Sequence, residues 1–154
     1  MLSSQYEHPS QITADAETQF VHNCINLESN VLEYGSGRST IQLSKIARSV
    51  VSVEHQKAWH DELSKELPKL TFFGNDGTYE EFETYIKSPL DKAPYDVIII
   101  DGRARVECAK LCTQLAHEKS YIYVHDFERE EYQPIMDILQ HIDSVGKMFR
   151  FKLK

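Results

Sequence analysis

Residues 31–40, Val-Leu-Glu-Tyr-Gly-Ser-Gly-Arg-Ser-Thr, constrain this chain more than any other stretch. Two apolar residues, Val31 and Leu32, lead into Glu33, a glycine turn and a hydroxyl pair. A short buried strand, a tight loop and a helix start are the parts of a nucleotide-binding crevice. Gly35 and Gly37 let a ligand come close to the backbone, with Ser36 between them. Ser39 or Thr40 is suited to cap the helix that follows. A dinucleotide fingerprint has a third glycine where this chain has Thr40. It also needs a helix N-terminus open to a pyrophosphate. A carboxylate at Glu33 would repel that anion and favours a ligand that carries positive charge.

Along the chain, apolar patterning alternates between strand and helix. Residues 1–13 read as an irregular arm, and Ala14–Glu28 as a helix with Phe20, Cys24 and Leu27 on one side and Asp15 and Glu17 in its first turn. Strands follow at Val31–Tyr34, Val50–Val53, Leu70–Phe73, Tyr95–Ile100 and Tyr121–Val124. Helices are expected at Thr40–Arg48, Gln56–Leu67 (with Trp59, Leu63 and Leu67 as a stripe), Tyr79–Lys87, Arg105–His117 and Tyr132–Ile142. Lys147–Leu153 alternates as a last strand with one face buried. Strands alternating with helices imply a single α/β domain over residues 1–154, a doubly wound, mostly parallel sheet of six or so strands with helices on both faces.

Ligands of such sheets bind beyond the carboxyl ends of the strands. In this chain those ends collect acids: Glu33, Glu54 beside His55, Asp76, Asp101, and Asp126 beside His125. Acids sharing one crevice repel one another, and a cationic ligand or a metal would relieve that. Glu54 lies 17 residues after Gly37, close to the spacing of an acid that binds ribose hydroxyls. Asp76 could border a base. Asp101 stands at the mouth of a dry apolar strand, where a perturbed carboxylate is expected.

The net charge of −7 argues against nucleic acid or an anionic membrane as partner, and no apolar run is long enough for a membrane helix. The basic tail, Lys147, Arg150, Lys152 and Lys154, reads as strand-edge protection. Cys24, Cys108 and Cys112 form no disulfide framework. Cys108 and Cys112, one helical turn apart, read as small apolar residues on a packed face. A reducing, cytoplasmic compartment is expected.

Residues 33–40, Val51-Ser52-Val53-Glu54-His55 with Trp59, Tyr95-Asp96-Val97-Ile98-Ile99-Ile100-Asp101-Gly102, and Val124-His125-Asp126 together resemble class I S-adenosylmethionine-dependent methyltransferases, over roughly residues 14–142. The resemblance implies S-adenosylmethionine (SAM) as cofactor and S-adenosylhomocysteine (SAH) as product. Glu33, Gly35, Ser36, Gly37, Ser39 and Thr40 would hold the methionine portion. Glu54 with His55 would hold the ribose, Asp76 would border the adenine, and Asp101 would lie near the sulfonium and the acceptor. The family usually has a third glycine where this chain has Ser39. It also closes its sheet with a sixth strand and an antiparallel seventh, whereas only one strand, 147–153, is left here, so a shortened terminal hairpin is expected. Catechol-type members place metal ligands at the positions of Asp101 and Asp126, with an amide where this chain has Phe127, so no metal site is assigned.

Methyl transfer needs alignment of acceptor, methyl carbon and sulfur, and a hydroxyl or amine acceptor also needs a base. Asp101, His125 and Asp126 are the candidates. His125 is suited by its ordinary pKa. Arg103 and Arg105 are expected to pair on the surface with Glu107 or the acidic 126–131 run. The acceptor is not specified, and a large acceptor, a small one, or a second subunit completing the site in a homodimer all remain open. The alternatives are a SAM- or SAH-binding module without catalysis and, less favoured by Glu33 and Thr40, a nucleotide-binding Rossmann oxidoreductase.

Overall fold

The computed structural model describes residues 9–65 and 79–154. The expected strand at Leu70–Phe73 and the candidate Asp76 lie outside them. The helices are α1 (Pro9–His22), α2 (Arg38–Ile46), α3 (Lys57–Ser64), α4 (Tyr79–Lys87), α5 (Arg105–Leu115) and the short α6 (Ile135–Ile138). The strands are β1 (Asn30–Tyr34), β2 (Ser49–Val53), β3 (Tyr95–Ile100), β4 (Ala116–His125), β5 (Leu139–Val145) and β6 (Met148–Leu153). Among the described residues they form one sheet in the order β2-β1-β3-β4-β6-β5. The first four pair in parallel. β6 runs antiparallel to both β4 and β5.

Strand alternation sends side chains to opposite faces, and two apolar clusters result. Leu32, Tyr34, Ile98, Ile100, Ile122 and Val124 pack under Tyr85 of α4 and Cys108 and Cys112 of α5. Val31, Val97, Ile99 and Tyr123 pack under Val21 of α1 and Leu43 of α2. The near-continuous apolar run of β3 follows from cover on both faces. Burial pushes the Cys112 thiol up to about 12, so it is an inert packing group. At the amino end of the sheet Asp96 accepts the Asn30 backbone N–H at 2.8 Å and faces His117 Nε2 at 2.7 Å.

Several expectations are corrected. Helix α1 begins at Pro9 within the expected arm, because proline suits the first helical turn, and it ends at His22, leaving Leu27 exposed. Glu17 is therefore mid-helix. On α3 Leu63 is buried but Trp59 is 36 % exposed, and Leu67 lies outside the described residues. α5 stops at Leu115 and β4 begins at Ala116. The largest departure is the expected helix over 132–142. Only Ile135–Ile138 is helical after a 3-10 turn at Glu130–Tyr132. From Leu139 the chain is a strand whose burial alternates, with Gln140, Ile142 and Ser144 outward. The strand buries Leu139 and turns Ile142, the end of the helical stripe, outward, so pairing with β6 and not the apolar period decides in favour of the strand.

The terminal hairpin is thus complete, β5 followed by an antiparallel β6, and not shortened. β6 is interior and the edge is β5, so the basic tail does not protect an edge there. Arg150 instead pairs with Asp143 and stacks between the Phe20 and Tyr121 rings. Met148 is buried as well as Phe151, so both faces of β6 are covered.

Candidate functional site

The loop after β1 is held by two buried acids. Glu33 is 2 % exposed and sits opposite Ser52 of β2. Its carboxylate accepts hydroxyls from Ser39 at 2.7 Å, Ser52 at 2.9 Å, and Thr40. The Ser36 hydroxyl lies 2.6 Å from that of Ser52 and extends the network into the loop. Burial outweighs these hydrogen bonds and raises the Glu33 carboxyl to about 7. Glu54, also buried, accepts the backbone N–H of Ser36 at 3.0 Å and of Gln56 at 2.8 Å. Trp59 lies over the same turn and donates its indole N–H to the Ser36 carbonyl at 2.7 Å.

These contacts account for the amides of the glycine turn. Gly35 N–H goes to the Val53 carbonyl at 2.8 Å, Ser36 N–H to Glu54, and Gly37 N–H to the Thr40 hydroxyl at 3.0 Å. A phosphate cradle needs such amides free, and these three are already used by the chain itself.

The carboxyl ends of β1, β3 and β4 open into a cavity of about 220 Å³. Glu33, Ser39, Asp101 and His125 line it together with Glu17, Val21 and His22 of α1, Leu43 of α2, Ile99 and Met148. Asp101 is tied to β1 by its N–H to the Tyr34 carbonyl at 2.9 Å, and its side chain is 44 % exposed. His125 stands among acids: Nδ1 lies 3.3 Å from Asp101 and 3.6 Å from Asp126, and Nε2 lies 3.3 Å from Glu17. The Asp101 hydrogen bond, opposed by burial and aided by the charges of Asp101, Asp126 and Glu17, lifts His125 to about 9. At neutral pH the ring is therefore a cation, and acting as a base requires that it first give up this proton. Asp126 has the left-handed φ of 55°, which an aspartate tolerates better than most residues, and it also faces Arg129 at 3.6 Å.

The structure thus brings Glu33, Ser39, Asp101 and His125 to one cavity. Glu54 and His55 lie on the other side of the glycine turn, where His55 Nε2 faces Arg103 Nε at 3.3 Å. Arg103 and Arg105 do not pair with Glu107 or the acidic run. Arg105 is turned inward to Asp101 at 3.4 Å, to the Gly102 and His125 carbonyls and over the Tyr132 ring. The reason is location: the start of α5 is at the strand mouth, where carbonyls and an acid are on offer. At the family's amide position, Phe127 is buried between Phe149 and Phe151, so no side-chain oxygen stands beside Asp126 there.

Sequence reasoning missed Glu17. The signal was present: Glu17, Val21 and Cys24 share one helix stripe, and an acid on an apolar stripe needs a buried partner. A second groove, about 630 Å³, runs between α4 and α5, lined by Ile86, Leu111 and charged residues. It holds none of the acids at the strand ends.

No protein-family model and no curated protein matches the sequence. Solved structures do match in fold. A methyltransferase-like protein from Silicibacter pomeroyi aligns with a TM-score of 0.70 at 22 % identity, over 90 % of this chain and 85 % of its own. The N-methyltransferase NodS from Bradyrhizobium japonicum, in complex with SAH, aligns at 0.65 and 10 % identity, over 98 % and 91 %. A TehB-like SAM-dependent methyltransferase from Corynebacterium glutamicum aligns at 0.61 and 12 % identity, over 99 % and 98 %. The chain has the Rossmann-like fold of the class I SAM-dependent methyltransferases.

Proposed function

We propose that the protein is a SAM-dependent methyltransferase whose acceptor is still to be identified. One observation carries the choice of ligand. The three amides of the Gly35-Ser36-Gly37 turn are satisfied within the chain, while Glu17, Glu33 and Asp101 present carboxylates to the cavity beside Val21, Leu43, Ile99 and Met148. That environment disfavours a pyrophosphate and suits a ligand with positive charge on an apolar frame.

The residues present fit SAM. Glu33, Ser39 and the glycine turn would hold its methionine portion, and a Cβ built on Gly37 would meet the Ser39 hydroxyl at 4.0 Å and no backbone atom nearer. Glu54, beside His55, would take the ribose hydroxyls, its carboxylate oxygens each retaining a lone pair beyond the backbone N–H already bound. Asp76 would border the adenine. The bound cofactor would supply a methyl group on a positively charged sulfur. Asp101 orients at the mouth of β3, and Asp101 or His125 takes the proton that an acceptor hydroxyl or amine must lose. Asp126 stands on the same Nδ1 side of His125 as Asp101 and adds to its charge.

The complete β5–β6 hairpin removes one motive for reading the protein as an inactive binding module, and the occupied loop amides weigh against a dinucleotide oxidoreductase. Calorimetry with SAM, SAH and NAD tests the proposal. Both adenosyl ligands are expected to bind and NAD is not. Binding of NAD alone would overturn it. Binding of SAM without methyl release across a broad acceptor panel would shift the reading to the binding module.

A further inference from the structure

Glu17 lines the cavity with Glu33 and Asp101, and it is among the most buried acids of the described residues, 8 % exposed on the cavity face of α1. It has two partners. Its Oε2 accepts the Lys147 backbone N–H at 2.9 Å, from the turn between β5 and β6. Both oxygens face His125 Nε2, at 3.3 and 3.4 Å. The opposite ring nitrogen, Nδ1, faces the more exposed Asp101 at 3.3 Å.

We propose that Glu17 is the positioning residue of His125: it holds Nε2–H from the α1 side, so that the proton the ring exchanges with the cavity is the one on Nδ1. The inference rests on the methyltransferase reading for its catalytic meaning, since it makes His125 an oriented base.

The two sides of the ring differ in kind. On the Nε2 side the carboxylate is buried, and its other partner is a backbone amide that cannot leave. On the Nδ1 side Asp101 is 44 % exposed and shared with Arg105 at 3.4 Å. Asp126 is farther, at 3.6 Å, and shared with Arg129. In the free protein Asp101 contributes most to keeping the ring charged. A cation engaged by Asp101 withdraws that contribution and leaves Glu17 in place. The ring then gives up Nδ1–H, keeps Nε2–H against Glu17, and turns a lone pair toward the cavity. Arg105 also fixes this end of β4 by donating to the His125 carbonyl.

Nitrogen-15 NMR of the histidine rings tests this, with His125→Gln used to assign the signal. In the free protein, Glu17→Gln is expected to lower the His125 titration midpoint, because Glu17 is one of the three acids whose charge raises it. An unchanged midpoint in a folded variant would overturn the proposal. With wild-type protein saturated by SAM, the neutral ring is expected as the Nε2–H tautomer, and an Nδ1–H tautomer would overturn it, with no variant needed. Failure of SAM to bind would count against the proposed function instead, and the free-protein titration would still decide the role of Glu17.

Discussion

Gly35 and Asp101 meet backbone to backbone: a Cβ built on Gly35 would lie 2.5 Å from the Asp101 carbonyl oxygen. The contact locks the glycine turn of β1 to the mouth of β3, so the loop and the candidate catalytic acid are positioned together. Gly35 also has the left-handed φ of +99°, which other residues adopt only with strain. Gly35→Ala is therefore expected to combine a backbone penalty of about 1–2 kcal/mol with a clash against backbone that cannot rotate away. A loss of about 3 kcal/mol or more in urea unfolding is expected, with SAM binding lost in parallel. A variant as stable as wild type would show that the turn and β3 are not coupled.

Glu33 should trade stability for binding. Its carboxyl is raised to about 7 by burial, so ionising it in the folded protein above that pH costs on the order of 3 kcal/mol. Ser39, Thr40 and Ser52 offer hydroxyls that can reverse direction, so Glu33→Gln keeps a bonded network without the charge. The variant is expected to be more stable than wild type at pH 8, by roughly 1–3 kcal/mol. It should also bind SAM at least tenfold more weakly, about 1.4 kcal/mol. Denaturation at pH 5 and 8 with calorimetry checks both halves. Equal SAM affinity would leave Glu33 as loop scaffolding only.

Both raised groups give the free protein a falling stability as pH rises. His125 has a folded value of about 9 against 6.5 ordinarily. Its contribution is complete below 6.5 and lost as pH rises through 9. Glu33 behaves with the same sign in the window from 4.5 to 7. For His125, whose ring is a quarter exposed, solvent screening reduces the effect to about 1–2 kcal/mol. Urea unfolding from pH 5 to 9.5 should show the decline. His125→Gln should flatten its upper part and Glu33→Gln its lower part. A wild-type curve rising from pH 6.5 to 9 would contradict the clamp around His125.

The strand–loop–helix at 31–40 was legible in the sequence because its signals are local: an apolar pair, two glycines and two hydroxyls within ten residues. The acids at the ends of β1, β2, β3 and β4 were legible because each ends a buried run. What Glu33 and Glu54 touch was not, since Ser52 reaches Glu33 across a strand pair and Ser36 reaches Glu54 through the turn. Glu17 looks like a dipole acid only when the helix is started after Pro9; with the helix starting at Pro9 it is mid-helix. The segment over 132–142 failed for a different reason. Its apolar residues follow the helical period, and only the long-range partner β6 turns it into a strand that leaves Ile142 outward. Asp101 with His125 could be proposed from strand ends alone, but the charge on the ring depends on three acids converging from α1, β3 and β4.

Glu54 and Trp59 give the last test, because both hold Ser36. Glu54 accepts the Ser36 N–H and Trp59 donates to the Ser36 carbonyl. Trp59 is the single tryptophan of the chain, so its emission reports on this turn. Filling the crevice should change that emission, and Trp59→Phe should abolish the signal while weakening SAM binding by no more than about tenfold, the value of one neutral hydrogen bond. Glu54→Gln can accept at one oxygen only, so it releases Ser36 or Gln56 and loses a charge-assisted acceptor for the ribose. A fall of tenfold or more in SAM affinity, about 1.4 kcal/mol, is expected, with Trp59 emission altered already in the free protein. Altered emission with unchanged affinity would show that Glu54 shapes the loop without touching the ribose. An unchanged spectrum with weakened binding would assign Glu54 to the ligand and leave the Ser36 contact without consequence.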